Sequence, residues 1–458
     1  MAFEIKDEEA QSHWVDHEFS GIDLGDMRLN KRLLTLASHA STKPTASINQ
    51  AEPDAQSCKA AYRFYGNESV KAEAIISPHI KRTVERMSDY DWCLSLEDTV
   101  YYSYDKHIKT EGLGHIGTGQ RGIIQHHALV TTLEGLPLGV LHQNIWSRKV
   151  KHHPQRQLAP LEEKESYKWF QCVESCEKAK PPQVNLVHVA DREADIFLLL
   201  EHMRQLEAYY VIRASEPRKI QDEDINLIEH LDRLDCMGKE AFKIGKSSKT
   251  PARTAELSIY YSAVTLEPST YLTRRGIACE SQSIWVVYAL EENPPKGVKA
   301  LSWVLLTNVP VNSLNDALQR IDWYRKRWII ETYHKVIKSG CLVEDCRLAH
   351  ADKLSRYIAL MSVVGWRILW MRYIQNENPD SKCTLVLTKM EYRALYLKMK
   401  KTKKMPRKVP SVKQAIRWIA QLGGFLGRQS DGDPGVITIW RGWRRLQDYV
   451  DICNVVLN

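Results

Sequence analysis

The chain has 458 residues, 43% hydrophobic and 26% charged, with a formal net charge of +8. That balance supports a large buried core, excludes wholesale disorder, and allows about three domains of ~150 residues. The opening MAFEIKDEEAQSHWVD is acidic and mixed, and the most apolar stretch, YIALMSVVGW (357–366), stops at Arg367. Neither a secretory leader nor a membrane span of roughly 20 apolar residues is therefore expected.

In chain order, residues 1–75 read as short helices. DMRLNKRLLTLASHA has helical periodicity, EPDAQSCKAAYRFYG carries Pro53 near a helix start, and Ser69 is placed to cap the next helix. From about residue 90 the pattern changes to strands with turn glycines: 91–104, 126–146, and VNLVHVAD at 184–191. A helix over 192–206, a strand at 208–213 and a strand-rich stretch over roughly 240–310 follow, and helices dominate from 314 onward. This is an α/β chain, a mixed sheet flanked by helices with a β-rich insertion. The ten cysteines form no CxxC pair. Cys172/Cys176 and Cys341/Cys346 lack zinc-knuckle spacing and read as reduced, buried thiols of a cytoplasmic protein.

Positive charge is clustered. KMKKTKKMPRK (398–408) has seven Lys or Arg in eleven residues, and DMRLNKRL (26–33) opens a basic helix. Such clusters attract polyanions by counterion release, so nucleic acid is the leading partner class, although either cluster alone reads first as solubility charge on an exposed loop.

Two strands run into acid: CLSLED delivers Asp98 and LVHVAD delivers Asp191. Carboxylates at the rim of a rigid sheet suit hard cations such as Mg²⁺, while an aspartate after a strand also serves as a helix cap. A third acid lies in YRKRWIIETYHKVIK (324–338). At ~100° per residue, Tyr324, Arg327, Glu331, Lys335 and Lys338 share an arc of about 80°. Ile329, Ile330, Tyr333, Val336 and Ile337 take the opposite side. Alone, this is the usual solvated face of an amphipathic helix. One carboxylate ringed by a phenol and cations also suits a metal ligand surrounded by phosphate clamps.

The stretch fits the Y-(2)-R-(3)-E-(6)-K signature of DDE transposases of the insertion-sequence-four group, similar to the bacterial transposon-five transposase. SLEDTVYYSY resembles that family's first-aspartate strand and VADREADI its second-aspartate motif. AAYRFYGN, EKESYKW, LSWVLLTNVPV and IAQLGGFLG extend the resemblance over nearly the whole chain. It implies a helical domain binding transposon-end DNA over 1–75, and an RNase H-like catalytic domain over 76–375 with its insertion at about 235–310. A helical dimerisation domain would span 376–458.

The implied activity is cut-and-paste transposition: metal-dependent cleavage of transposon ends through a hairpin, then joining of the 3′-OH to target DNA by two-metal phosphoryl transfer. The resemblance makes Asp98, Asp191 and Glu331 the ligands of Mg²⁺ (or Mn²⁺), and Tyr324, Arg327, Lys338 and Arg213 phosphate contacts. Trp303 corresponds to a tryptophan that stacks on a flipped base, although in an apolar strand it also reads as core. Arg28 and Arg32 match end-binding positions, and Lys31 joins them from the charge of that helix. The implied partners are end DNA with terminal inverted repeats, target DNA and a second copy of the chain in a synaptic complex, associated with the bacterial nucleoid. The alternative is a catalytically weak DNA-binding regulator of transposition, against which the three intact acids weigh.

Overall fold

The computed structural model describes residues 14–117, 119–148, 160–221, 225–245, 252–274, 276–402, 404–405 and 408–457. Lys403, Pro406 and Arg407 of the basic 398–408 segment lie outside them. The described residues form two compact units. The first gathers those of Met1–Asp89, Thr99–His153 and Ile330–Asn458, the second those of Tyr90–Asp98 and Pro154–Ile329.

Among the described residues, five helices open the first unit: α1 (Trp14–Glu18), α2 (Met27–Thr42), α3 (Ile48–Ala51), α4 (Ala55–Gly66) and α5 (Ala72–Met87). Asp26 caps α2 by accepting from Arg28 N, and Asp54 caps α4 through Ser57 N. Ser69 does not cap α5. The N-cap is Lys71, and Ser69 instead closes a turn by donating its N–H and hydroxyl to Asn67 Oδ1. Strand β1 (Trp92–Ser103) passes from the second unit to the first between Asp98 and Thr99, and β2 (Gly114–His115), β3 (Arg121–Thr131) and β4 (Pro137–Trp146) follow in the first.

The second unit continues with α6 (Tyr167–Ala179), β5 (Asn185–Ala190), α7 (Phe197–Gln205), β6 (Tyr209–Arg213), α8 (Leu227–Leu231), β7 (Gly238–Ile244) and β8 (Arg253–Leu266). It closes with α9 (Thr270–Arg274), β9 (Gln282–Leu290), β10 (Ser302–Thr307) and α10 (Leu314–Lys326). Helix α11 (Trp328–Lys335) leads back to the first unit, completed by α12 (Ala351–Glu377), α13 (Lys389–Lys400), α14 (Val412–Leu422) and α15 (Val436–Leu457).

In the second unit the opening half of β1, then β5 and β6, pair in parallel, and β10, β9, β8 and β7 extend the sheet antiparallel. The parallel strands are buried, as strands covered on both faces must be. Trp169, Phe170, Phe197, Leu200 and Tyr210 belong to the core that α6 and α7 build on this sheet. In the first unit β3 pairs antiparallel with β2 and β4, with register shifts at Ala128/Leu129 and Val130/Thr131. There the opening helices are tied to later ones: Arg356 of α12 donates to the carbonyls of Val70 and Tyr65, and Trp443 of α15 to Ser41. Among the described residues no helix is long and apolar enough to cross a membrane.

Candidate active site

In the second unit β1 and β5 pair in parallel from Trp92–Asn185 to Leu96–Val189. Asp98 and Asp191 each stand two residues beyond that last rung. Equal offset puts them at the same level, and the period of two puts them on the same face of strands about 4.8 Å apart. Asp191 keeps extended backbone, φ −86° and ψ −166°, so the alternation holds up to it. β1 does not end at Asp98. It runs on to Ser103, so Asp98 lies within a strand, where the pairing with β5 stops.

Asp191 also caps, as an aspartate after a strand can. Its Oδ1 accepts from Glu193 N at 2.9 Å at the start of a short 3₁₀ turn, Arg192–Ala194, and α7 begins only at Phe197. One oxygen suffices for the cap.

Helix α10 seats on the sheet through Trp323, whose ring stacks on Trp92 at 6.1 Å, and Ser313 caps its start. At its end Arg327 Nη1 lies 3.5 Å from Asp98 Oδ2, with 12% and 21% of the two side chains exposed. The Arg327 guanidinium is 6.0 Å from the centre of the Tyr324 ring, which meets Trp303 edge-on at 6.0 Å. Asp98, Arg327, Tyr324 and Trp303 thus form one connected group. Arg213 ends β6 opposite Leu305 of β10, and its Nη2 donates to Ser302 O at 2.8 Å, next to Trp303.

A latch behind this group was not expected from the sequence. Asp195 Oδ2 accepts from Ser215 N (2.6 Å) and Glu216 N (3.0 Å), just past Arg213, and Oδ1 accepts from Arg218 Nε (3.1 Å) and Nη2. Both side chains are buried. The residue four past Asp191 therefore fixes the turn that follows Arg213. DREADI flagged Asp191 alone, and nothing near Arg218 signals its partner.

The stretch 324–338 is not one uniform helix. The α-helical hydrogen bonding is interrupted at Arg327, whose backbone stays helical (φ −49°, ψ −32°) while its N–H bonds Tyr324 O three residues back, and Val336–Gly340 is a π-helical turn. Tyr324 is buried rather than on a solvated face, and the wider i→i+5 turn moves Lys338 off the angle a 3.6-residue period assigns. The apolar side is as expected: Ile329, Ile330, Tyr333, Val336 and Ile337 are all buried. Trp328, beside Arg327, is 64% exposed.

In the first unit Glu331 sits partly exposed on α11. Tyr333 anchors that helix by donating to Ser362 O at 2.9 Å, and His334 Nε2 lies 3.2 Å from His127 Nδ1 of β3. Lys338 donates to Tyr101 O (2.9 Å) and pairs with Glu344 (3.3 Å), whose Oε1 also accepts from Ser103 N. On α2, Arg28 pairs with its own cap, Asp26, Lys31 is exposed, and Arg32 is half-buried.

Three family models match the chain: Transposase DNA-binding over residues 11–70, Transposase DDE domain over 105–364 and Transposase Tn5 dimerisation domain over 363–456. The chain belongs to the DDE transposases. The DDE match includes Asp191 and Glu331 and begins beyond Asp98. A DNA transposase with DNA-binding and dimerisation domains follows from the three matches together, and its DDE domain implies use of a divalent metal. The level carboxylates at 98 and 191 fit that metal: they offer oxygen donors only, as Mg²⁺ and Mn²⁺ prefer, and Asp98 already faces a compensating cation in Arg327.

Proposed function

We propose that this transposase moves DNA by cutting and pasting. It cleaves transposon ends through a hairpin and joins the freed 3′-OH to target DNA. Residues 1–75 grip end DNA with terminal inverted repeats, 76–375 carry the chemistry with a β-rich insertion at about 235–310, and 376–458 pair two copies in a synaptic complex. The protein works in the bacterial cytoplasm, on the nucleoid.

Asp98, Asp191 and Glu331 are the carboxylates that hold Mg²⁺ or Mn²⁺. When bound, the metal acidifies the attacking water and stabilises the leaving oxygen. Arg327, Tyr324, Arg213 and Lys338 hold phosphate oxygens. In the DNA-free protein Arg327 compensates Asp98, and Lys338 rests on Tyr101 and Glu344. These contacts keep both cations in place until phosphate replaces the partners. Trp303 stacks on a flipped base, recovering ~1–3 kcal/mol of the cost of extruding it. Arg28, Lys31 and Arg32 contact the end duplex.

The observation that carries this reading is the pair Asp98 and Asp191, level on neighbouring parallel strands, with Arg327 at Asp98. The test incubates purified protein with DNA carrying its element's ends and Mg²⁺. Hairpin-ended products that vanish in Asp191→Ala are expected, whereas end binding without cleavage by the parent protein would make it a regulator of transposition. Trp303→Ala is expected to impair hairpin formation and spare the first nick. Equal loss at both steps would assign Trp303 to the support of Tyr324 instead.

A further inference from the structure

Strand alternation turns Glu97 to the face of β1 opposite Asp98, beneath α6. Glu97 and His188 are fully buried there. Glu97 Oε1 accepts from Ser95 Oγ at 2.9 Å and from His188 Nδ1 at 2.5 Å, and His188 Nε2 lies 3.0 Å from Glu177 Oε1. With a carboxylate at each ring nitrogen, the imidazole donates from both and is the cation. Glu97 Oε2, equally buried, has no partner among the described residues beyond the weak S–H donor of Cys172 that faces this carboxylate. A buried carboxylate oxygen held by no more than a thiol is costly, and an ion is one of the few groups that satisfies it fully.

The sulfurs of Cys172 and Cys176, one helical turn apart on α6, complete the pocket. They and a Glu97 carboxylate oxygen all lie within 4.8 Å of one another, the only such group of three possible ligands among the described residues. Both thiols are fully buried. Ligand atoms around a tetrahedral zinc stand roughly 3.3–3.8 Å apart, so a small inward movement closes the set.

We propose that Glu97, Cys172 and Cys176 form a binding site for a thiophilic divalent cation of the zinc class. Binding displaces the two thiol protons to solvent, leaves two thiolates on the cation, and changes no oxidation state. The two thiolates, Glu97 and Glu177 carry four negative charges, balanced by the dication, the His188 imidazolium and Lys180, which pairs with Glu177 at 3.6 Å. Ser95 and His188 orient the carboxylate from behind, as outer-shell groups do in metal sites. The ligand set is soft and closed to solvent, unlike the oxygen-only carboxylates at 98 and 191, and the cation would tie α6 to β1 one residue before Asp98.

The test uses the full chain, equilibrated with zinc in excess Mg²⁺ to occupy oxygen-ligand sites, then dialysed and assayed for retained zinc. About one equivalent is expected, with release of about two protons on loading. Cobalt in place of zinc is expected to give thiolate-to-cobalt charge-transfer absorption in the near ultraviolet. Both signals should disappear in the Cys172→Ser/Cys176→Ser double variant, with folding checked by far-ultraviolet circular dichroism. Should that variant not fold, Glu97→Gln keeps both thiols and should weaken zinc retention at least about tenfold. No retained zinc, or retention and absorption unchanged in a folded variant, overturns the proposal.

Discussion

Two arginine–aspartate pairs in different regions have opposite meanings. At the start of α2, Arg28 reaches back to Asp26 at 2.8 Å, with 91% and 34% of the side chains exposed. At the end of α10, Arg327 faces Asp98 at 3.5 Å, with 12% and 21% exposed. The shorter pair is the weaker. Water screens it, and the cap needs only Asp26 and the backbone N–H of Arg28. The longer pair sits in drier surroundings, where water screens it less. Asp195 and Arg218, at 0% and 6% exposure, extend the series inward. Burial, rather than separation, ranks the three, and substitutions can break that ranking.

The largest effect is expected at the pair that also serves the chemistry. Asp98→Asn keeps the size of the side chain and removes its charge. Cleavage of end DNA should fall at least roughly a thousandfold, while end binding in a gel-shift titration persists. Cleavage within about tenfold of the parent would remove Asp98 from the site and reduce its bond with Arg327 to a structural one. Next comes the buried latch. Asp195→Asn leaves the Arg218 guanidinium uncompensated in the interior, which costs about 3–5 kcal/mol in urea unfolding of the full chain. A loss below about 1 kcal/mol would mean that Arg218 finds another acceptor, and burial would no longer order the pairs.

Arg327→Gln sharpens the middle of the series. It deletes a phosphate fork from a partly buried position, and cleavage is expected to fall about 10- to 100-fold. Arg327→Lys restores the charge but not the bidentate geometry and should recover only part of that. Full recovery by lysine would show that Arg327 acts as charge alone.

What the sequence disclosed about these pairs follows the range of the interactions. Asp98 and Asp191 stood out because runs of β-formers lead directly into them, whereas Arg213, at the end of β6, was singled out only by the family resemblance. The buried side of 324–338 was legible for the same local reason. The change of hydrogen bonding at Arg327 and the π turn at 336–340 were not, since a projection at one period assumes one bonding pattern throughout. Tyr324 lies against Trp303, and that contact depends on where α10 packs on β10, which periodicity does not encode. Asp195 bonds residues 20 to 23 positions away, so DREADI disclosed its neighbour and not its task. The spacing of Cys172 and Cys176 carries no metal signature by itself. Their possible third ligand, Glu97, arrives from a strand 75 residues earlier in the chain.

The smallest effect belongs to the exposed end of the series and distinguishes a cap from a grip. In Arg28→Ala the backbone N–H at position 28 still donates to Asp26, so thermal unfolding should not move. Affinity for end DNA should become less salt-sensitive, with the slope of log K against log salt reduced by about one for each phosphate the variant no longer neutralises. Lys31→Ala, on the same helix and exposed, should behave alike. Arg32 is half-buried, so truncating it also removes packing by its aliphatic stem. Arg32→Ala should therefore also lower the unfolding midpoint. If Arg28→Ala instead destabilises as removal of the cap by Asp26→Ala should, and leaves the salt slope unchanged, the exposed pair is structural, and DNA binding at α2 falls to Lys31 and Arg32.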